Sequence, residues 1–385
     1  MSSSRIKVLF LIHSLEEGGA ERVLTNMLKM FDFTRFEVHL CVVENRGIYF
    51  KEVPQQVKVI RLFNHILFSR LLIKLHVKFN LNLYLRLVVN AQVREHYDVG
   101  ISFLDSAYTD FLFFLGKKIK RKITWVHSSY KTYSNFGRFY KGAYKKRITR
   151  HRYGKLDDIV FVSNDSRREF EEIFGRMRST HVILNLLNIE EIHTRSDMEL
   201  DVSFDSKVTN IVAVGVLLPV KGYDKLIQAA MLLKEENLKF KIRILGNGYL
   251  EESLHALIRD LGLEDEVELC GFRFNPYPYM KESDVFVMTS ISEGWPTALC
   301  EALVLELPVV VTDCSGCREL VANGEYGIMV QQSAVAIAEG LKQLIEKPEK
   351  LQYYQKRSAA RKLIFDDEVI LQQVYDLIEG KAKLP

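Results

Sequence analysis

Two glutamates flank a short turn between a predicted strand and a predicted helix. Residues 289–306 read T-S-I-S-E-G-W-P-T-A-L-C-E-A-L-V-L-E and follow the apolar run V-F-V-M-T, which begins at Val285. Such a run is typical of a buried strand, and the later apolar spacing predicts a helix whose first residue is Pro296. Glu293 lies in the turn, and Glu301 lies two helical turns further on. The two carboxylates therefore frame the start of this helix.

The start of this helix could bind a phosphate group. The N–H groups of Thr297 and Ala298 are expected to point out of the helix, and the helix dipole also favours an anion. A carboxylate beside an anion site is unfavourable unless it binds hydroxyl groups. A ligand with both phosphates and sugar hydroxyls would satisfy both features. An ordinary helix N-terminus, with acidic residues favoured by the dipole, is the open alternative.

A second loop of this kind follows the first predicted strand, I-K-V-L-F-L-I at residues 6–12. Gly18 and Gly19 mark a tight turn before the next helical pattern, so this loop is another candidate anion site. The alternative is that the two glycines serve turn geometry alone. The loop is not G-x-G-x-x-G, which a nicotinamide-dependent oxidoreductase would need together with an acidic residue about 20 positions further on.

Strand and helix patterns alternate along the chain. Apolar runs that predict strands begin near residues 6, 37, 57, 99, 123, 159, 182, 211, 241, 267, 285, 308 and 327. In the second half, helical patterns lie between most of them, including residues 223–235 and 250–261. This alternation predicts βαβ units and parallel sheets. The polar, aperiodic residues 188–207 predict an interdomain connector, and residues 366–378 predict a final helix.

Length and composition indicate a folded protein of about two domains. The chain has 385 residues, of which 48% are hydrophobic and 26% are charged. No secretory signal precedes the first strand, and no apolar run approaches the roughly 20 residues of a spanning helix, so we expect a cytoplasmic location or a membrane surface.

The odd count of five cysteines favours free thiols. C-S-G-C at residues 314–317 could be a redox pair or, more simply, a tight turn; no second cysteine pair or nearby histidine completes a zinc site.

The net charge is only +4, but two stretches of the sequence are strongly basic. Residues 66–94 contain no Asp or Glu, and they predict one or two basic amphipathic helices that could lie on an anionic membrane or pack as ordinary surface helices. No acidic residue lies between Asp110 and Asp157, and lysines and arginines mix with aromatic residues over residues 117–155. This second stretch suits a membrane interface, a lipid acceptor with a pyrophosphate, or single-stranded nucleic acid.

The stretch E-G-W-P-T-A-L-C-E, residues 293–301, resembles the E-x7-E motif of retaining glycosyltransferases of the GT-B fold, family 4. It is similar in detail to members that extend lipid-linked oligosaccharides in bacteria, and flanking matches cover most of the chain. The resemblance implies an α/β protein with two Rossmann-like domains that face each other across a cleft. The expected parts are an acceptor-side domain, a linker, a nucleotide-sugar domain and a helix that crosses back, at residues 1–190, 191–207, 208–364 and 365–385.

The resemblance also implies roles for individual residues. Glu293 would orient hydroxyls of the donor sugar, and His127, in W-V-H-S-S-Y, would contact the donor sugar or the acceptor. These two are the expected catalytic residues, and no nucleophile is assigned. His127 ends a predicted strand, which is where open α/β sheets place ligands. Glu301 would bind the ribose. The expected donor-binding positions are Gly18, Gly19, Asn185, Gly215, Lys221, Gly246, Phe272, Arg273, Gly294, Thr297, Ala298 and Glu301.

One position departs from the family pattern. G-V-L-L-P-V-K-G at residues 215–222 resembles G-R-L-x-x-x-K-G, in which the Arg and the Lys neutralise the donor diphosphate. Lys221 is present, but Val216 replaces the Arg. The loss of a charge-assisted contact is worth about 1.5–3 kcal/mol. The alternative function is therefore a non-catalytic GT-B-like protein that binds a nucleotide or a glycan.

The expected activity is the transfer of a hexose or N-acetylhexosamine from a nucleotide sugar, UDP-linked in the simplest case, to a lipid-linked saccharide of an envelope or surface glycan. No D-x-D sequence occurs, so we expect no metal requirement, and no other cofactor is implied. Because the signals of sugar transfer accompany the basic stretches and no nucleic-acid motif does, we expect residues 66–94 and 117–155 to contact an anionic membrane and not nucleic acid. The predicted location is the cytoplasmic face of the membrane.

Overall fold

The computed structural model describes residues 5–105, 107–130, 149–200 and 202–382. Contacts divide the chain into two compact units. The first unit is Met1–Leu186 together with Asp367–Pro385, and the second unit is Leu187–Asp366. Each unit contains one parallel sheet with helices. This confirms the α/β class and the two Rossmann-like domains that the sequence predicts.

The first unit has a seven-stranded parallel sheet among its described residues. The strands are β1 (Ile6–Ile12), β2 (Phe36–Glu44), β3 (Lys58–Phe63), β4 (Tyr97–Ser102), β5 (Ile119–Val126), β6 (Asp158–Phe161) and β7 (Thr180–Val182). Their order is β3-β2-β1-β4-β5-β6-β7. The order reverses direction between β1 and β4. The carboxyl ends of these two strands therefore mark the crevice where open α/β sheets bind ligands.

The apolar runs seen in the sequence explain this sheet. A parallel sheet is covered on both faces, so its strands need nearly continuous apolar residues. In β1, residues 8–12 are fully buried. Val8 pairs with Val38 on one side and with Val99 on the other, which places β1 in the centre of the sheet.

The helices of the first unit follow its strands. They are α1 (Gly19–Lys29), α2 (Ile66–Phe79), α3 (Leu83–Gln92), α4 (Asp110–Phe114) and α5 (Asn164–Phe174), with short 3-10 turns at Ile48–Glu52, Ala107–Thr109 and Gly116–Lys118. The basic stretch at residues 66–94 thus forms two helices. Asn80 adopts a left-handed conformation, with φ of 57°, and ends α2.

The second unit has a six-stranded parallel sheet. Its strands are β8 (Thr209–Val214), β9 (Phe240–Leu245), β10 (Val267–Gly271), β11 (Val285–Met288), β12 (Val309–Thr312) and β13 (Ile328–Val330). The order is β10-β9-β8-β11-β12-β13. Here the direction reverses between β8 and β11, and Ile211 pairs with Val285 across that boundary. The loops after β8 and β11 are therefore the expected ligand loops of this unit.

The helices of the second unit surround this sheet. They are α6 (Ile189–Ser196), α7 (Tyr223–Glu235), α8 (Glu251–Asp260), α9 (Tyr277–Lys281), α10 (Thr297–Val304), α11 (Cys317–Leu320), α12 (Ala334–Ile345) and α13 (Pro348–Arg361), with 3-10 turns at Pro219–Lys221, Ala322–Gly324 and Lys362–Ile364.

Helix α6 lies inside the stretch that the sequence predicts as a connector, residues 188–207. The Asn188 side chain accepts a hydrogen bond from the N–H of Glu191 and caps the helix. The contact-based boundary between the units falls at Leu186, before this helix. The prediction of an aperiodic connector is therefore wrong for its first half.

The last helix, α14 (Asp367–Glu379), packs on the first unit. The Tyr375 ring stacks on Phe36 with centroids 4.9 Å apart, and its hydroxyl accepts a hydrogen bond of 2.8 Å from the N–H of Asp32. Arg121 donates to the carbonyl of Leu377 at 2.9 Å, near the helix C-terminus. The first unit thus consists of the beginning and the end of the chain.

Candidate functional site

The loops after β8 and β11 are bound to each other in the second unit. The N–H of Ile291 donates to the carbonyl of Val220 at 2.7 Å, and Thr289 Oγ1 donates to the carbonyl of Lys221 at 2.8 Å. Gly222 makes this approach possible. Its φ is +64°, and a Cβ atom there would overlap the carbonyl oxygen of Thr289.

These loops bring together Lys221 and Glu293, two residues that the sequence singled out separately. Lys221 Nζ lies 2.7 Å from Glu293 Oε1, and the two side chains are only 18% and 14% exposed. Ser290 Oγ donates to the same Glu293 oxygen at 2.7 Å. Burial lowers the pKa of Lys221, but the charge and hydrogen bond of Glu293 outweigh this effect, so the pKa stays above its ordinary value. The pair therefore holds a permanent cation at the sheet's reversal point.

Helix α10 starts next to this ion pair in sequence. Its first residue is Thr297, and Pro296 is the N-cap, which corrects by one residue the expectation that Pro296 is the first helical residue. The first intrahelical bond joins the N–H of Cys300 to the carbonyl of Pro296. The N–H groups of Thr297 and Ala298 therefore precede the first intrahelical bond, as expected for an anion site. Gly316 lies close to this turn: a Cβ atom on it would be 2.7 Å from the carbonyl oxygen of Gly294.

Glu301 is buried on α10. The Tyr277 hydroxyl, on α9, donates to Glu301 Oε1 at 3.0 Å. The sequence analysis did not single out Tyr277. A carboxylate oxygen can accept more than one hydrogen bond, so this geometry is compatible with a hydroxyl donor from a ligand.

The remaining predicted donor-binding positions of this unit lie on the loops that follow β8, β9 and β10. Gly215 and Gly246 follow β8 and β9, and a Cβ atom on Gly246 would overlap the Gly215 carbonyl oxygen. Phe272 and Arg273 follow β10. Arg273 lies over the Tyr279 ring at 5.6 Å, and its buried Nε has no hydrogen-bond partner among the described residues.

The C-S-G-C turn is not a disulfide, since Cys314 and Cys317 are both free and buried. A hydrogen bond with Cys314, together with burial, raises the pKa of the Cys317 thiol well above its usual value. A thiol held protonated is a poor nucleophile. The interpretation as a tight turn is therefore favoured over a redox pair.

In the first unit, the predicted Gly loop begins α1. Gly18 is the N-cap of α1, and no side chain caps this helix start. The carboxylate of Glu21 packs against Gly18, where a Cβ atom would overlap Glu21 Oε2. Burial raises the pKa of Glu21 to about 7. The sequence analysis did not single out Glu21, although its position three residues after the N-cap is a recognised capping signal.

His127 follows β5 at the carboxyl edge of the first unit's sheet, as predicted. Its ring packs on Phe103 with centroids 4.7 Å apart, and Nε2 is shielded from solvent with no hydrogen-bond partner in the described part of the chain. Burial lowers the pKa of His127 to about 3. His127 is therefore a neutral imidazole near pH 7, which can donate or accept a hydrogen bond but carries no positive charge.

The loop after β5 is fixed by helix α5. Ser129 Oγ donates to Glu169 Oε2 at 2.5 Å, and Ser166 Oγ donates to the carbonyl of Ser128 at 3.1 Å. These contacts were not predicted, because they join residues about 40 positions apart. Asn185 is buried beyond the end of β7.

A cavity of about 320 Å³ lies between α2 and the carboxyl edge of the first unit's sheet. Its lining residues are His13, Glu44, Arg70, Ile73, Lys74, Val77, Lys78 and Tyr108. Glu44 is buried and accepts hydrogen bonds from Ser69 Oγ at 2.9 Å and Arg46 Nε at 2.7 Å. Arg70, Lys74 and Lys78 of α2 thus line a cavity in which the Glu44 carboxylate already accepts hydrogen bonds from other residues.

Helices α2 and α3 expose an apolar and basic surface. Leu67 and Leu83 are 83% and 73% exposed. The other exposed large apolar residues of this surface are Phe68, Leu71, Val77, Phe79, Leu81, Tyr84 and Leu87. Among the described residues, no helix is both long and apolar enough to cross a membrane.

Three described cations of the second basic stretch, residues 117–155, pair with carboxylates from outside the stretch. Lys120 pairs with Asp98 at 2.7 Å, Arg121 pairs with Asp158 at 2.5 Å, and Arg152 pairs with Asp110 at 2.8 Å. The absence of acidic residues from the sequence of the stretch therefore does not leave these cations unpaired. Residues 131–148, with most of the predicted aromatic positions, lie outside the described residues.

Family models match both halves of the chain. The model described as "Glycosyltransferase Family 4" matches residues 17–191, and the model described as "Glycosyl transferases group 1" matches residues 199–361. A relative in Campylobacter jejuni, N-acetylgalactosamine-N,N'-diacetylbacillosaminyl-diphospho-undecaprenol 4-alpha-N-acetylgalactosaminyltransferase, is 28% identical over 97% of this chain and 100% of its own length. The lipopolysaccharide core biosynthesis glycosyltransferase LpsE of Rhizobium meliloti is 30% identical over 54% of this chain and 60% of its own length.

Solved structures share the fold over the whole chain. Anabaena HepE in complex with UDP has a TM-score of 0.72 at 20% identity, with 97% of this chain and 100% of HepE covered. Staphylococcus aureus TarM, solved with UDP, has a TM-score of 0.76 at 14% identity, with 97% of this chain and 99% of that chain covered. With both halves matched by family models and the fold shared throughout, the chain belongs to the family 4 glycosyltransferases of the GT-B fold.

Proposed function

We propose that the protein is a retaining glycosyltransferase that moves a hexose or N-acetylhexosamine from a UDP-sugar to a lipid-linked saccharide of an envelope or surface glycan. The observation that carries the proposal is the Lys221–Glu293 ion pair at the reversal point of the second unit's sheet. HepE has been solved with UDP and with UDP-glucose, and the C. jejuni relative is named for a diphospho-undecaprenol acceptor. Both names support the donor and acceptor classes proposed here.

The second unit supplies the groups that the departing diphosphate needs. Lys221 is a permanent cation, and the N–H groups at the start of α10 add partial positive charge. These groups stabilise the negative charge that develops as the glycosidic bond breaks, so we propose that no metal ion or other cofactor is required. Glu293 would orient hydroxyls of the donor sugar while it holds Lys221, and Glu301 would accept a hydrogen bond from the ribose.

The first unit supplies the acceptor side in this proposal. His127 is neutral, and its Nε2 atom has no hydrogen-bond partner among the residues that the structure describes, so it suits a hydrogen bond to a sugar hydroxyl. The exposed apolar residues of α2 and α3 would enter the interface of an anionic membrane, with Arg70, Lys74 and Lys78 near the headgroups. The chain would then act as a peripheral protein at the cytoplasmic face of the membrane. No nucleic-acid partner is proposed.

The rival function is a non-catalytic GT-B-like protein that binds a nucleotide or glycan. Val216 favours it, because the loop after β8 lacks the arginine of the family pattern. Measurable transfer or hydrolysis of a nucleotide sugar separates the two functions.

The first experiment is a thermal-shift screen with UDP and a panel of UDP-sugars. Wild type, Lys221→Ala and Glu293→Ala would be compared with Lys225→Ala, a control in the first turn of α7. We expect one UDP-sugar to stabilise the wild type and the control but neither site variant. Stabilisation of all four proteins alike would reject the site, and no shift with any nucleotide would favour the alternative in which a non-catalytic protein binds a glycan. The anomeric configuration of the product, read by NMR, tests retention.

A flotation assay tests the membrane surface. Lys74→Glu/Lys78→Glu would be compared with Lys207→Glu/Lys239→Glu, which changes the charge equally on the exposed surface of the second unit. Vesicles that contain anionic lipid should retain the wild type and the control. We expect the α2 variant to lose most of this binding, since each cation near an anionic surface is worth about 1 kcal/mol. Equal loss in both variants would reject α2 as the contact.

A further inference from the structure

A buried tyrosine on α9 contacts the buried carboxylate of α10. Tyr277 and Glu301 are each 3% exposed, and the Tyr277 hydroxyl donates to Glu301 Oε1 at 3.0 Å. Burial of a carboxylate is costly unless donors satisfy it, and a hydrogen bond to a charged acceptor is stronger than one between neutral groups. The hydroxyl therefore stabilises the carboxylate and restricts the direction in which the Glu301 side chain points.

Helix α9 is attached to α6 by contacts that do not involve this hydrogen bond. Asn275 Nδ2 donates to the carbonyl of Arg195 in α6 at 2.9 Å, and Asn275 Oδ1 accepts from the N–H of Tyr277 at 3.4 Å. At the other end of α9, Lys281 pairs with Asp197, the residue that ends α6. These contacts fix the position of the tyrosine hydroxyl from outside the donor-binding loops, so the carboxylate on α10 is the group that the hydroxyl orients.

Glu301 lies near the start of α10, where we propose that the N–H groups of Thr297 and Ala298 meet the donor diphosphate. It follows Thr297 by four residues, so these two residues share one side of the helix. Four residues span about 6 Å along the helix axis. A nucleoside 5′-diphosphate carries its 2′- and 3′-hydroxyls on the ribose, one ring away from its phosphates. Phosphates at the helix start would thus bring the ribose hydroxyls towards Glu301.

We propose that Tyr277 is a positioning residue of the donor site, which holds Glu301 in the orientation that binds a ribose hydroxyl. The preference of the site for a ribonucleotide over a deoxyribonucleotide then depends on Tyr277, which acts through Glu301. This inference rests on the proposed function, since it requires a nucleotide donor whose ribose meets Glu301. The ribose group that donates to Glu301 is the 2′- or the 3′-hydroxyl.

The test measures the dissociation constants of UDP, 2′-deoxy-UDP and 3′-deoxy-UDP by isothermal titration calorimetry. Wild type is compared with Tyr277→Phe, which removes only the hydroxyl. The matched control is Tyr97→Phe at the start of β4 in the first unit. It removes another buried hydroxyl, which lies 2.8 Å from His39 Nδ1. Unfolding temperatures show which variants are folded.

We expect the wild type and the control to bind one of the two deoxynucleotides about tenfold more weakly than UDP, because Glu301 then lacks a hydroxyl donor. Tyr277→Phe should bind UDP about tenfold more weakly than the wild type does, and should bind that deoxynucleotide within about twofold of the wild-type value. The analogue that discriminates identifies the ribose hydroxyl. Equal weakening of all three nucleotides would indicate a merely structural role and would overturn the proposal, as would unchanged constants.

A double variant tests whether Tyr277 acts through Glu301. In a Glu301→Met background, Tyr277→Phe should cause no further loss of UDP affinity, because the carboxylate that the hydroxyl orients is absent. Additive losses would overturn the proposal. If Tyr277→Phe does not fold, Asn275→Ala takes its place, since it detaches α9 from α6 and keeps the tyrosine. It should reduce the preference for UDP over the discriminating deoxynucleotide, and an unchanged preference would then overturn the proposal.

The same titrations separate this inference from the proposed function. If the wild type prefers UDP to a deoxynucleotide and Tyr277→Phe keeps the full preference, only the inference about Tyr277 is lost. If the wild type binds all three nucleotides equally, Glu301 does not bind the ribose, and the inference is overturned while UDP remains the donor nucleotide. If the wild type binds no UDP at all, the proposed donor is wrong and the inference is overturned with it.

Discussion

In the proposed donor site, the Lys221–Glu293 pair would combine ligand binding with a structural cost. Two opposite charges that are largely shielded from water stabilise each other. When one is removed, the other is left shielded and unpaired, which destabilises the folded protein. In the free protein, Glu293 holds Lys221 at 2.7 Å. A donor diphosphate that binds as proposed would therefore meet a cation that is already ordered, and the entropy of ordering this long side chain is lost before binding.

Removal of either charge should destabilise the protein more than removal of both. We expect Lys221→Met and Glu293→Gln each to lower the free energy of unfolding by about 3 kcal/mol, because each leaves one shielded charge unpaired. The double variant should lower the free energy of unfolding by less than either single variant does. Urea unfolding of the four proteins measures this coupling. Additive losses would mean that the pair does not interact in solution.

The raised pKa of Glu21 makes stability depend on pH. The folded protein holds the Glu21 proton up to a pKa of about 7, whereas the unfolded chain releases it near the ordinary pKa of 4.5. Between these values the folded state holds more protons, so the stability contributed by the neutral form is present below pH 4.5 and is lost as pH rises through 7. Each unit of pKa difference corresponds to about 1.4 kcal/mol.

The measurement is the free energy of unfolding of wild type and Glu21→Gln at several pH values between 4.5 and 8. We expect the difference, wild type minus variant, to fall across this range. A flat difference would show that Glu21 has an ordinary pKa in the folded protein.

The sequence analysis named Lys221 and Glu293 but did not predict their contact. Lys221 and Glu293 were both singled out, but they are separated by 72 positions, and their contact depends on β8 and β11 being neighbours. Strand order is a property of the whole sheet, and the sequence of either loop alone does not predict it. Tyr277 was missed for the same reason, since its hydroxyl finds Glu301 from another helix.

At the scale of elements, strands were predicted more accurately than connectors. The apolar run at residues 6–12 predicted β1 to the residue, because a strand inside a parallel sheet that is buried on both faces needs such a run. Helix α6 was missed within a polar stretch. The signal was nevertheless present: N-I-E-E places Asn188 three residues before Glu191, which is an N-cap spacing.

Two glycines with the same backbone conformation provide a matched test of the loop that carries Lys221. Gly222 and Gly262 have φ of 64° and 61°, but only Gly222 faces a backbone atom, the Thr289 carbonyl oxygen. We expect Gly262→Ala to cost about 1 kcal/mol of unfolding free energy from the left-handed conformation alone. Gly222→Ala should cost clearly more and should also weaken UDP binding, because the two loops must separate. Similar losses for both variants would contradict this account of Gly222.

At the scale of the whole molecule, the prediction concerns the last helix. Helix α14 covers Phe31 and Phe36 of the first unit with Tyr375. Deletion of residues 367–385 should therefore lower the unfolding temperature of the first unit and leave that of the second unit nearly unchanged. Calorimetry combined with limited proteolysis measures the two units separately. As a control, Leu363→Ala changes a residue that is 79% exposed in the second unit. An equal loss of stability in both units would contradict the assignment of α14.

Because both ends of the chain belong to the first unit, the second unit is in effect an insertion within it. This has a consequence for synthesis on the ribosome. Residues 187–366 emerge before the last helix, so the second unit can complete its fold while the first still lacks α14. The first unit is made first and completed last. Until α14 has left the ribosome, Tyr375 cannot cover Phe31 and Phe36. We therefore expect the nascent chain to bind chaperones that recognise exposed apolar residues during this interval.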